Sequence, residues 1–170
     1  MVSARGVGYD DVDDGRNETP TERADRNWNE VLQELRVLQT GTQILTGFLL
    51  ALAFQPGFAE LNDGQRLLYL TLVVLAALTA IVALAPVALH RVLFRRMAKP
   101  RVVAYGHAAL VTSLVTVSLV LVGVVAFVFD FVVSDAAAVV ASVALGIVIV
   151  VLWVIAPVVI RKRHSERVSR

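Results

Sequence analysis

Three uncharged runs constrain this chain more than any other feature. "LLYLTLVVLAALTAIVALAPVAL" (67–89) has no charge across 23 residues, "AALVTSLVTVSLVLVGVVAFVF" (108–129) none across 22, and "AAAVVASVALGIVIVVLWVIAPVVI" (136–160) none across 25. A hydrocarbon core about 30 Å thick needs about 20 residues of helix. In oil, helices and closed barrels are the structures that bond every backbone group internally. Each run is long enough to cross. A fourth stretch, 37–54, is shorter and carries Gln39 and Gln43 in its first two turns. It is read as a span because "ILTGFLLALAF" is too apolar to leave in water. The expected fold is therefore all-α: four transmembrane helices at about 37–54, 67–89, 108–133 and 136–160, forming a four-helix bundle of two antiparallel hairpins. The composition agrees, at 57% hydrophobic and 18% charged, against about 45–50% and 25% for soluble domains.

Basic residues set the expected orientation, because loops on the cytoplasmic side collect Lys and Arg. The segment before the first span holds Arg5, Arg16, Arg23, Arg26 and Arg36. The middle loop "HRVLFRRMAKPRVVAYGH" holds Arg91, Arg95, Arg96, Lys99 and Arg101, and the C-terminal tail (161–170) holds Arg161, Lys162, Arg163, Arg167 and Arg170. The other two loops hold only Arg66, a division of fifteen to one. Both termini are thus expected in the cytoplasm, with the chain in the plasma membrane. No apolar leader precedes the first span, which would act as its own uncleaved insertion signal. Arg91, Arg95, Arg96, Lys99, Arg101, Arg161, Lys162 and Arg163 sit against spans. They are expected to contact anionic lipid headgroups, at about 1 kcal/mol each, and not nucleic acid.

Residues 1–18 are polar and acidic, a composition expected to stay disordered. Their "DDVDDG" fails as a calcium loop, because Val12 and Thr21 fall where oxygen ligands are needed. A helix start follows: Thr19 as N-cap, Pro20 at the first position and Glu22 three residues past the cap. Glu22–Arg26 and Arg26–Glu30 are opposite-sign pairs four apart. The amphipathic helix 19–36 then leads toward the first span. Trp28, Val31, Leu32, Leu35 and Leu38 line one face, and Trp28, Leu32 and Leu35 are expected to dock on a partner. Asn29, Gln33, Arg36, Thr40, Gln43 and Gly47 line another, at alternating steps of four and three.

A glutamine facing lipid is costly, whereas one inside a bundle bonds across helices. Thr40, Gln43 and Gly47 are therefore expected to face the bundle interior, with Thr112 and Thr116 as partners. Ala138, Ser142 and Gly146 recur every four residues and should allow close helix approach. Two endings, "ALAPVALHR" and "VIAPVVIRK", place Pro86 and Pro157 just before basic clusters. A duplication of one hairpin explains this, and so does convergence of apolar composition. Each proline should disturb its helix and free a carbonyl, near Val82 and Trp153.

The stretches "ETPTERADRNWNEVLQELRVLQTGTQILTGFLLALAFQ" (18–55) and "APVALHRVLFRR" (85–96) resemble an uncharacterised family of small actinobacterial multi-pass membrane proteins, a domain of unknown function. The resemblance covers about residues 18–160. It implies a multi-pass protein of the cell envelope and supplies no activity, substrate or site residue.

Reactive chemistry is sparse. With no cysteine there is no disulfide or thiol chemistry. His90 and His107 flank the middle loop without the further ligands zinc takes. Asp130 is bordered on both sides by apolar span, near a loop, and Ser134 or Asp135 should cap the last span. No phosphate-binding, dinucleotide, zinc-hydrolase or nucleophile-elbow motif occurs. The expected function is a non-enzymatic interaction or structural module without cofactor or metal, working with a homo-oligomer or membrane-protein partner. The alternative is a subunit of an oligomeric transporter or pore, with Thr40 and Gln43 lining the path.

Overall fold

A computed structural model describes residues 18–93 and 99–168, and the described residues form helices joined by short turns. The first helix, α1 (Pro20–Leu52), is a single element of 33 residues. Its start is the expected capping box. The Glu22 amide donates to the Thr19 hydroxyl at 3.3 Å, and the Thr19 amide donates to the Glu22 carboxylate at 2.8 Å. That amide bond, with a second from the Thr19 hydroxyl, holds the Glu22 carboxyl below the usual carboxylate value. Arg26 pairs with Glu30 at 3.2 Å as expected, and with Glu18, also at 3.2 Å. Glu18 thus belongs to the folded helix start and not to the acidic tail; the rest of that tail lies outside the described residues.

At 1.5 Å per residue α1 is about 50 Å long, more than a bilayer core needs. The segment expected to lead toward the first span and the span itself are therefore one rod, and Gly41 does not interrupt it. A 3₁₀ turn at Pro56–Glu60 leads to α2 (Asp63–Leu93). The start of α2 is clamped reciprocally: the Gln65 amide donates to the Asn62 side chain at 2.9 Å, and the Asn62 amide to the Gln65 side chain at 3.2 Å. Helix α3 (Lys99–Val132) follows. Ser134 caps α4 (Asp135–Val150) by accepting from the Ala137 amide.

The two prolines behave differently. Pro86 lies inside α2, fully buried. Pro157 sits just beyond a π turn at Val151–Ile155, in which the Ala156 amide donates to the Val151 carbonyl five residues back. Proline has no amide for the Trp153 carbonyl and would crowd it, and a widened turn relieves both problems. The chain continues as α5 (Ala156–Val168).

Four helical stretches are long and apolar enough to cross a membrane: Asp25–Leu52, Asp63–Leu89, Val103–Val132 and Asp135–Lys162. Large apolar side chains such as Phe48, Val74, Ile81, Leu119, Val140 and Ile147 lie exposed along all four. An apolar exterior of this extent belongs in lipid, and the four helices fit a membrane protein. Helices α1, α2 and α3 pack on one another, most extensively α2 on α3, while α4 rests chiefly on α3. The core thus has three helices with the fourth at its flank, and the two hairpins stand in unlike surroundings.

Two apolar clusters fill the core. One lies toward the end bearing the two hairpin turns, built on Leu49, Leu61, Tyr69, Leu72, Ala76, Val120 and Phe127. The other lies toward the basic end and comprises Val31, Leu35, Ala83 and Leu110. Two glycines on α3 permit the close contacts. A methyl group at Gly123 would collide with Leu72, and one at Gly106 would come within 2.9 Å of the Trp28 ring.

Candidate functional site

The candidate site is α1, whose two faces the structure assigns in the opposite sense to the sequence expectation. Trp28 and Leu35, expected on a partner face, are 7% and 2% exposed within the chain's own bundle. Trp28 and Val31 pack over Gly106 of α3, and Leu35 joins the cluster with Ala83 and Leu110. Only Leu32 is half-buried. With Leu35, Arg36, Gln39 and Val87 it lines a groove of about 170 Å³ between α1 and α2. This face is therefore not available to a partner.

The expected polar interior is likewise corrected. Thr40, Gln43 and Gly47 are exposed, as is Thr112, and Thr116 is half-buried. The Thr40 hydroxyl donates to the Arg36 carbonyl of its own helix, and the Thr116 hydroxyl to the Thr112 carbonyl, both at 3.0 Å. None of these hydroxyls bridges helices. The reason is the continuity of α1. A rigid rod buries one face along its whole length, and the sequence offers two choices. Burying Trp28 and Val31, toward the watery end of the rod, gains about 1.5–3 kcal/mol for each large apolar side chain, and Leu35 and Leu49, at hydrocarbon depth, gain close packing. Turning Gln43 inward would forfeit that gain at several positions for one amide.

The buried polar groups are instead Thr42 of α1, Thr79 of α2 and Ser113 of α3, each 1% exposed or less. In each helix the hydroxyl falls between residues of the two apolar clusters, so the three form a polar layer separating them. Thr79 donates to the Leu75 carbonyl at 2.8 Å. The Thr42 and Ser113 hydroxyls have no partner among the described residues. The signal that locates this face is the seven-residue spacing of Trp28, Leu35, Thr42 and Leu49, which keeps one phase along a helix.

The small residues of α4 turn partly toward α3. Ala138 is 5% exposed, the Ser142 hydroxyl donates to the Ala138 carbonyl, and a methyl at Gly146 would meet nothing within 4 Å. At the hairpin end, the Gln65 side-chain amide donates to Asp130 at 2.9 Å, tying the start of α2 to the end of α3.

Arg91, Arg161 and Lys162 are exposed at the basic end. Lys99 and Arg101 lie in the first turn of α3 and Arg163 lies in α5; Arg95 and Arg96 are outside the described residues. Among the described residues, no group of three His, Asp or Glu side chains converges as a metal site would require.

The exposed surface of α1 includes the stripe Asn29, Gln33, Arg36, Thr40, Gln43 and Gly47, every member exposed, beside an apolar flank of Val37, Ile44 and Phe48. Gln43 stands nine residues before the helix end at Leu52, roughly 14 Å along the axis. That is near the middle of a hydrocarbon layer about 30 Å thick. An amide without a partner there costs about 4–8 kcal/mol on an alkane scale.

Residues 17–157 match the model of a family of unknown function, DUF6328. No curated protein and no solved structure matches the chain.

Proposed function

The chain belongs to the DUF6328 family, and on that premise we propose that it is a non-enzymatic interaction module of the plasma membrane, with both termini in the cytoplasm. One observation carries this reading: the stripe from Asn29 to Gly47 is exposed along its length, and helix length would put about half of it at hydrocarbon depth. Lipid tails offer nothing to the Gln43 side chain, so the face is built for another protein surface. The N-in, C-in orientation draws on the fifteen-to-one division of Lys and Arg. In that orientation Arg91, Arg161 and Lys162, with Arg95, Arg96, Lys99, Arg101 and Arg163, meet the anionic headgroups of the inner leaflet.

The test is photo-crosslinking in cells that make the protein. A photoreactive side chain replaces Gln33, Thr40 or Gln43 on the stripe, or Val74 or Leu78 on the exposed flank of α2. Discrete protein adducts confined to the stripe support the module. Adducts to lipid alone, at both sets of positions, overturn it.

A pore subunit is the second reading, and it draws on the same exposed Thr40 and Gln43, which would converge on the axis of a ring. Solute or ion flux from loaded proteoliposomes above that of empty vesicles, lost in Gln43→Leu, is its expected signature.

A further inference from the structure

We infer that the stripe on α1 is the seam of a parallel homodimer, in which Gln43 of one copy pairs with Gln43 of the other near the bilayer midplane. The inference rests on reading the stripe as an interaction face and adds what occupies it.

Spacing is the first argument. Asn29, Gln33, Arg36, Thr40, Gln43 and Gly47 follow one another at steps of four, three, four, three and four. That is the period at which two helices supercoil with one seam kept in contact. The buried face of α1, through Trp28, Leu35, Thr42 and Leu49, is already taken by α2 and α3. The stripe is thus a second, complete heptad face, exposed along its length.

The second argument concerns depth and chemistry. Every copy of the chain inserts with the same orientation, so Gln43 of each lies at the same level. A carboxamide carries two donors and one carbonyl acceptor and is therefore its own complement across a two-fold axis. A polar side chain at a single seam position fixes register and favours a defined oligomer.

Geometry supplies the third. A Cβ built at Gly47 meets nothing within 4 Å, so the surface one turn beyond the amide is open to a neighbouring backbone. Arg36 would repel its counterpart if it pointed along the seam. Its side chain instead lines the groove with Leu32, Gln39 and Val87, to one side. Its long stem allows the charge to reach the interface from there.

The chain has no cysteine, which makes the test direct. Single variants Gln33→Cys, Thr40→Cys, Gln43→Cys and Gly47→Cys on the seam are compared with Val37→Cys, Ile44→Cys and Phe48→Cys on the neighbouring lipid-facing flank. Each is oxidised in the full chain, in native membranes and in vesicles holding only this protein. Disulfide-linked dimer should peak at the four seam positions and fall at the flank, tracing a period of three and a half residues. Labelled wild-type protein in the same vesicles should show energy transfer between copies. Gln43→Leu should weaken that association about tenfold through the two lost amide bonds while leaving helical content unchanged. Equal linkage at both sets, a peak at 37, 44 and 48, or undiminished association of Gln43→Leu overturns the dimer. If the stripe gives photoadducts in cells only at the mass of a different protein, and no dimer forms in pure vesicles, the second copy is the wrong occupant and the interaction face survives. If neither adduct nor dimer appears, both readings fall.

Discussion

Replacing Tyr69 by phenylalanine removes one oxygen atom and should cost about 1.5 kcal/mol of stability. Tyr69 is 3% exposed, and its hydroxyl donates to the Leu49 carbonyl at 2.8 Å. That carbonyl lies in the last turn of α1, where the amide four residues on, that of Ala53, bonds elsewhere. The Ala53 amide turns to the Ala51 carbonyl, the Phe54 amide does the same at 3.2 Å, and the Gln55 amide takes the Leu52 carbonyl at 3.1 Å. Leu49 is left to the phenol. In Tyr69→Phe the ring keeps its edge contact with Phe58, centroids 5.0 Å apart, and its tilted contact with Phe127 at 6.0 Å. No cavity forms, so the loss is the bond plus an unmet buried acceptor, about 1–3 kcal/mol. Polar bonds between membrane helices average only about 0.6 kcal/mol, because the unfolded state in lipid also finds partners. Water reaching Leu49 from the nearby turn would pull the loss down to that level. The burial of Leu49 at 2% argues that it does not. The assay is reversible unfolding in mixed micelles with rising SDS, followed by circular dichroism, at unchanged transition slope. A loss below roughly 0.5 kcal/mol would refute the capping argument.

Gly106→Ala should loosen α1 from α3 by about 1–3 kcal/mol through overpacking, since its methyl comes within 2.9 Å of Trp28 and 3.0 Å of Val31; Gly41→Ala, with nothing within 4 Å, should be neutral or stabilising in the same unfolding assay. Ser113→Ala and Thr42→Val remove buried hydroxyls that have no partner among the described residues and should stabilise by up to about 1 kcal/mol; a loss in both would show that the hydroxyls are bonded. The Glu22 carboxyl lies below its ordinary value because it accepts from Thr19. Its contribution is therefore full above that ordinary value and is lost as pH falls through the lower folded one. The Thr19 and Glu22 amide resonances should titrate together with a midpoint below 4.5. Asp130→Ala should cost about 1 kcal/mol by releasing Gln65, and Asp130→Asn, which keeps an acceptor, should restore most of it.

The spans, the capping box, a disturbance at Pro157 and a cap at Ser134 or Asp135 were legible because each depends on local chemistry: length in oil, a side chain three residues from an amide, a missing donor. The same reasoning expected a disturbance at Pro86, which instead lies inside α2, and the π form of the turn was not foreseen. The family resemblance was legible in the residues 18–55. The rotation of α1 was not. Two faces of that helix compete for the core, and weighing Gln43 alone favours the polar one. Only the continuity of the rod, which couples Trp28 at the basic end to Leu49 near the hairpin end, decides against it. Gly106 and Gly123 carry no periodic signal, since their role is set by the Trp28 and Leu72 side chains arriving from other helices. The pairing of Gln65 with Asp130 joins residues 65 apart, which no local pattern reports.

The placement of α4 gives the molecule a division of labour. Three helices suffice to enclose both apolar clusters, and the last crossing leans on one neighbour with most of its circumference left to lipid. A chain emerging from the ribosome can settle its core before that final segment is made. Later changes in α4, whether in length, in tilt at the widened turn or in the basic tail it carries, leave the interior undisturbed. The C-terminal crossing is thus where such a protein can be retuned, trimmed or fused to a reporter at least cost to the rest.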